Sequence, residues 1–329
     1  MRYSVSCAAI CIAGVPMACA FVPASLLQPL LQATRSYAAR SLRTQATAMM
    51  KQSDDESSSS SSSSDQDGSK TYRVVFLRHG ESTWNRDDRH IGWTDVPLTE
   101  RGESEARAAG QALRREGFEF DVVYASMLKR VLKTEHIVMD ELDQLWVPEV
   151  KDWRLNERHY GDLIGKTKPE AQEAFGAENV ALWASSYDIP PHPMSTTGRY
   201  YPKDDRRYQN VVDENGVCAI PRTECMKDVS RRVVGYWEQE IVPAVRSGKR
   251  VLVAGHANML KTLLQHLDSI PDSVVVGMKV PRATPMVYEL GEDMRPLRPA
   301  DPAKLLSAEI MAVGNGSVRM EAAEEVNAF

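Results

Sequence analysis

The chain has 329 residues, 43% of them hydrophobic and 26% charged, a balance that fits a globular protein with room for a sizeable core and excludes a disordered or fibrous one. Its net charge is −5 at pH 7, yet residues 1–53 hold five basic residues (Arg2, Arg35, Arg40, Arg43, Lys51) and no acidic one. Taking those five from the 40 basic residues leaves 35 against 45 acidic ones, which argues against a nucleic-acid or anionic-membrane partner and requires any anionic substrate to be met by a local arginine cluster.

In chain order, Arg2 precedes an apolar run that ends in Ala18-Cys19-Ala20, the small-x-small exit of a signal peptide at residues 1–20. A membrane anchor is the competing reading, disfavoured by the short run and by Pro16. Residues 21–52 are rich in Ser, Thr, Ala and Arg and free of Asp and Glu, which is transit-peptide chemistry. The join "ACAFVP" resembles the junction of the bipartite presequences that address proteins to complex plastids, so a plastid is the expected location, with a mitochondrion as the alternative. Residues 53–69 form an acidic poly-Ser stretch with nothing to bury, read as a disordered linker. Three of the five cysteines lie in the leader; Cys218 and Cys225 alone make no disulfide framework.

From residue 72 apolar strands alternate with helical stretches, which predicts an α/β fold: a mostly parallel central sheet with helices on both faces, in a folded domain that begins there. "VVFL" at 74–77 is apolar without alternation, as a strand buried on both faces must be. Further strands are predicted at 121–126, 147–150, 250–256 and 286–290, and helices at 99–115 (capped by Thr99), 127–142, 223–246 and 258–267. In the long third helix, Val229, Val233, Trp237 and Ile241 share a face. Residues 176–220 are rich in Pro, Asp and Tyr and too long for a plain connector, hence an ordered excursion or lid.

The first strand runs into Arg78-His79-Gly80, and "RVLVAGH" repeats the design by ending on His256. A cation and an imidazole delivered at strand ends, with a glycine for a sharp turn, stand at the mouth of a crevice. Two such strands with arginines nearby make an anion site, where an imidazole can accept a phosphoryl group once its second nitrogen is oriented and the phosphate oxygens are neutralised. His90, His136, His159, His192 and His266 are read as structural or surface residues.

The stretches "LRHGESTWN", "GWTDVPLTERG", "YASMLKRVLKT", "WRLNERHYGDLIGKTK" and "VLVAGHAN" together resemble the cofactor-dependent phosphoglycerate mutases of the histidine phosphatase superfamily, over residues 72–297, and "NERHYG" is what narrows the likeness to the mutases. The resemblance implies a three-layer fold and interconversion of 3- and 2-phosphoglycerate through phosphohistidine. It implies His79 as nucleophile, Arg78, Arg130 and His256 around the transferring phosphoryl group, and Glu157 as general acid and base. Ser82, Asn85, Gly92, Arg158, Tyr160, Lys168 and Asn258 match positions that hold substrate phosphate or carboxylate. The implied cofactor is 2,3-bisphosphoglycerate, which primes His79; no metal is implied. The partner is a small phosphorylated metabolite, with no nucleic acid, no membrane for the mature form, and homo-oligomerisation left open. A phosphatase of the same superfamily and a weakly active anion-binding protein are the alternative functions.

The pattern breaks in one place that matters. Where the mutases read Trp-Arg-Arg before the Tyr-Asp lid, this chain reads "WASSYDIPP", with Ala184 and Ser185 in place of two substrate-gripping arginines. "HANML", "PRATP" and the segment 298–329 also depart from the pattern, and Arg282 is an added cation able to restore part of the lost charge.

Overall fold

The computed structural model describes residues 70–212 and 215–298. The signal, transit and linker segments and almost all of the C-terminal segment therefore lie outside the described residues.

Five strands form one sheet in the order β3-β2-β4-β1-β5: β1 (Tyr72–Arg78), β2 (Val122–Ala125), β3 (Glu149–Lys151), β4 (Val251–Gly255) and β5 (Met286–Leu290). All neighbours run parallel except β5, which lies antiparallel on β1 and closes one edge. The unbroken apolar runs have the meaning that sequence gave them, because alternate residues feed different cores. Val74, Phe76, Tyr124, Val251 and Val253 pack into one cluster. Val75, Leu77, Val123 and Leu252 pack into the other.

The helices divide accordingly. One face is covered by α1 (Thr83–Arg86) in the first loop, then α2 (Glu100–Arg115) and α3 (Lys129–Glu141), with Leu113, Val138 and Met139 in the core. Next come α4 (Lys168–Phe175) and α5 (Ala177–Ser185). The other face carries α6 (Met226–Tyr236), a π-helical turn (Trp237–Ile241), α7 (Val242–Arg246), α8 (Ala257–Asp268) and the short α9 (Asp272–Val275). Thr99 caps α2 by accepting the Gly102 N–H, as predicted.

Several boundaries move. The edge strand starts at Glu149, since Pro148 has no N–H for a ladder. The helix predicted from 223 starts at Met226, because the Thr223 hydroxyl is spent on the Pro191 carbonyl and Cys225 with Asp228 forms the cap. Val229, Val233, Trp237 and Ile241 are fully buried as expected, although the last two sit in the π-helical turn. Within the excursion, residues 177–185 are helical; the irregular path begins only beyond them. It packs on the body through Tyr208, Val211 and Ile220 around Trp93, and through Tyr200 edge-on to Trp84 at 5.5 Å.

Candidate active site

Strand register builds the site. Arg78 pairs with Gly255 across β1 and β4, so the next residue of each strand, His79 and His256, emerge side by side with ring centroids 5.2 Å apart. Ala125 pairs with Ala254, which sets Ser126 beside them, and its hydroxyl lies 2.8 Å from His256 Nε2. His79 Nδ1 lies 2.7 Å from the Gly80 carbonyl, a contact that needs the proton on Nδ1 and leaves Nε2 as a lone-pair nucleophile. Gly80 serves differently from the sharp turn expected of it. A Cβ there would stand 2.3 Å from the Gly102 carbonyl, so glycine is needed for close approach to α2.

Two arginines supply the charge, Arg78 half-buried and Arg130 fully buried. Arg78 donates to the Val280 carbonyl at 2.6 Å, and its Nε makes no hydrogen bond. Arg130, fully buried on α3, donates to the carbonyls of Thr94 and Gly92, both at 2.9 Å, and also keeps an unused Nε. Gly92 can present that carbonyl because it sits at φ +54 against Ile164, a place where a side chain would clash. Burial lowers both guanidinium groups to about 10, and the first charge that offsets this is the Glu157 carboxylate. His79 and His256 are held well below the usual imidazole range, first by burial and then by Arg130, so both are neutral at neutral pH. A largely desolvated pocket with two cations, neutral imidazoles and unused N–H donors has the chemistry to receive an anion.

Glu157 completes the pocket. One oxygen accepts the Arg158 N–H at 2.7 Å and the other the Asn258 N–H at 3.5 Å. Asn258 also donates to the Tyr160 hydroxyl at 2.7 Å, and burial beside Glu157 raises that phenol to about 12. The competing reading of Glu157 as a surface ion pair with Arg154 or Arg158 is not what the structure has: Arg154 chelates Asp152, and Arg158 Nε bonds the Glu224 carbonyl. Arg158 also reaches the Trp183 carbonyl at the end of α5, next to Ala184 and Ser185, which are exposed.

Not every expected residue meets the pocket in the same way. Ser82 and Asn85 form the capping box of α1 and bond each other at 2.8 Å. Lys168 opens α4 behind the Thr167 cap, half-buried. Arg282 pairs with Glu81 at 3.5 Å and Glu105 at 3.7 Å while still adding positive potential at His79 and Arg78.

Sequence reasoning missed two supports. Arg232 donates to the carbonyls of Arg154, Asn156 and Glu157 and pairs with the buried Glu224 at 2.7 Å, so it fixes the backbone that carries Glu157. In the sequence it belongs to "SRR", a candidate phosphate contact that lies on a helix. Lys261, on α8 with its amine on the Val276 carbonyl, is lowered to about 8 by burial, with Glu157 as its opposing charge. Its place three residues after "VLVAGHAN" carries no signal.

Residues 74–215 match the family model of the histidine phosphatase superfamily, branch 1. Over this segment the chain is similar to that superfamily. His256 and Asn258 lie beyond the matched segment and are joined to it by β4. Among solved structures, the YhfR protein of Bacillus stearothermophilus is 25% identical with a TM-score of 0.51, over 70% of this chain and 98% of its own. The α-ribazole phosphatase from Shigella flexneri is 22% identical with a TM-score of 0.52, over 74% and 100%. A mycobacterial glucosyl-3-phosphoglycerate phosphatase is 20% identical with a TM-score of 0.50, over 67% and 91%. These similarities establish the α/β histidine-phosphatase fold.

Proposed function

We propose that the protein is a phosphoglycerate mutase that moves a phosphoryl group between the hydroxyls of phosphoglycerate by way of His79. The observation that carries this reading is Glu157. A carboxylate is fixed by two backbone N–H groups among the same arginines that face His79, and it gives the pocket an acid and base distinct from its histidines. His79 Nε2 attacks phosphorus, the P–O bond breaks, and the departing oxygen takes its proton from Glu157. In the second half the carboxylate takes the acceptor hydroxyl's proton as that oxygen attacks and the P–N bond breaks. Arg78 and Arg130 stabilise the equatorial oxygens, with about 1.5–3 kcal/mol available per charged hydrogen bond.

The unused Nε donors of Arg78 and Arg130 fit a phosphate of 2,3-bisphosphoglycerate, which when bound supplies the phosphoryl group that primes His79. The excursion, tied down by Asp162 and Met194 backbone bonds to His192 and Arg222, supports transfer to a held acceptor in place of water.

A second reading, phosphatase, is favoured by the exposed, uncharged Ala184 and Ser185 at the acceptor side, and it agrees with the names of the two phosphatases of like fold. The deciding experiment follows the phosphoryl group supplied as 3-phosphoglycerate with catalytic 2,3-bisphosphoglycerate. Formation of 2-phosphoglycerate supports the mutase, and inorganic phosphate as the main product moves the assignment to phosphatase. Restoring both arginines with Ala184→Arg, Ser185→Arg should lower KM about tenfold or more if the missing cations limit capture.

We also propose plastid delivery, on the leader sequence alone. Residues 1–50 fused to a fluorescent protein should reach a plastid, and mitochondrial import would refute the proposal.

A further inference from the structure

We propose that Glu135, His136 and Glu149 form a divalent transition-metal site, of the kind that takes zinc, which clamps α3 to the edge strand β3. These residues line an open cleft of about 500 Å³ between the end of α3 and β3, formed also by Lys133, Asp140 and Gln144 and separate from the residues of the phosphoryl pocket.

His136 Nε2 lies 3.3 Å from Glu135 Oε2 and 3.4 Å from Glu149 Oε2, and all three donor atoms fall within 4.8 Å of one another. A nitrogen facing two carboxylate oxygens cannot satisfy both. With its proton it donates to one oxygen, and without it it accepts a proton from one carboxyl, so one of the two oxygens is left over in either state. A cation held between the three atoms resolves this for every group at once. The two His136 separations fit, since tetrahedral bonds of about 2.0–2.1 Å separate neighbouring ligand atoms by about 3.3–3.4 Å.

The burial pattern is the second, independent observation. Glu135 is 3% exposed, and its Oε2, aimed at this cluster, makes no hydrogen bond. Glu149 Oε1 is likewise buried without one. Leaving a desolvated carboxylate oxygen without a donor is unfavourable, and metal ligation removes that cost. Lys151 Nζ lies 2.5 Å from Glu149 Oε2, so the cluster already draws one cation. One imidazole and two carboxylates suit zinc and its first-row neighbours better than calcium, which takes oxygen ligands alone. Three protein ligands leave a fourth position for water.

The test uses the full-length protein, stripped with a chelator and titrated with ZnCl2 by calorimetry and with CoCl2 by absorption. One equivalent should bind and raise Tm, and the cobalt spectrum should show d–d bands without thiolate charge transfer, which separates this site from cysteine binding. His136→Ala and Glu149→Gln should each weaken binding at least tenfold, and the His136 side chain is exposed enough (55%) for its replacement to leave the fold intact. Lys151→Met should tighten binding by removing the competing charge. The proposal is overturned by no saturable binding up to about 1 mM zinc, or by one equivalent bound with unchanged affinity in the His136→Ala, Glu149→Gln double variant.

Discussion

Three buried histidines and the half-buried His90 set the acid stability of the folded domain. His79 and His256 are held well below the usual range by burial and by Arg130, His159 is pushed down to about 4 by burial, and His90 is lowered by burial. Each stays neutral when folded at a pH where the unfolded chain, with histidine near 6.5, has already gained a proton. Their contribution is complete above about pH 6.5 and is lost as the pH falls toward the folded values, at about 1.4 kcal/mol per pH unit for each. Glu135 works in the opposite sense. Burial and then Glu149 push it up to about 8, so it keeps a proton that the unfolded chain has released above about pH 4.5, and it cancels one histidine. The three strongly shifted histidines then give a net uptake of about two protons on unfolding, or about three with His90, and a slope of about 3–4 kcal/mol per pH unit between about pH 6 and 5. Urea unfolding across that interval measures it. His159→Gln should reduce the slope by about one proton, about 1.4 kcal/mol per pH unit. A stability that does not fall between about pH 6 and 5, or a slope unchanged by His159→Gln, would refute the claim that these imidazoles are buried and neutral.

Arg130→Met should lower the rate of phosphoryl transfer by about 10²–10³ and cost about 2 kcal/mol or more in urea unfolding, because the Gly92 and Thr94 carbonyls lose their donors. Gly92→Ala should destabilise by about 1–3 kcal/mol, since φ is +54 and the new methyl would meet Ile164 at 2.8 Å; a neutral result would mean the loop relaxes freely. Lys261, lowered to about 8, should give the profile of kcat/KM against pH an alkaline limb near that value, and Lys261→Met should remove it.

Much of this was legible in the sequence where local chemistry decides. Val74–Leu77 has to be buried on both faces, Thr99 has to cap, and two strands that end in histidine have to meet if they pair in parallel, as Arg78 and Gly255 do. What escaped depends on distant partners. Nothing local marks Arg232 as the donor that holds the Glu157 backbone, since its three carbonyl acceptors lie more than seventy residues earlier in the chain. Thr223 reads as the start of a helix until Pro191 takes its hydroxyl. His136 reads as surface because Glu149 comes to it only when β3 pairs with β2. The family likeness carried the phosphoryl pocket further than spacing could, while the acceptor side is where the chain departs from it, at Ala184 and Ser185.

The central claim is that His79 carries the phosphoryl group. Incubation with 2,3-bisphosphoglycerate labelled on phosphorus, followed by rapid quench, should yield an acid-labile, alkali-stable phosphoenzyme that maps to His79, and His79→Ala should yield none. Label retained at equal stoichiometry in His79→Ala, or mapped to another residue in the native protein, would contradict the account.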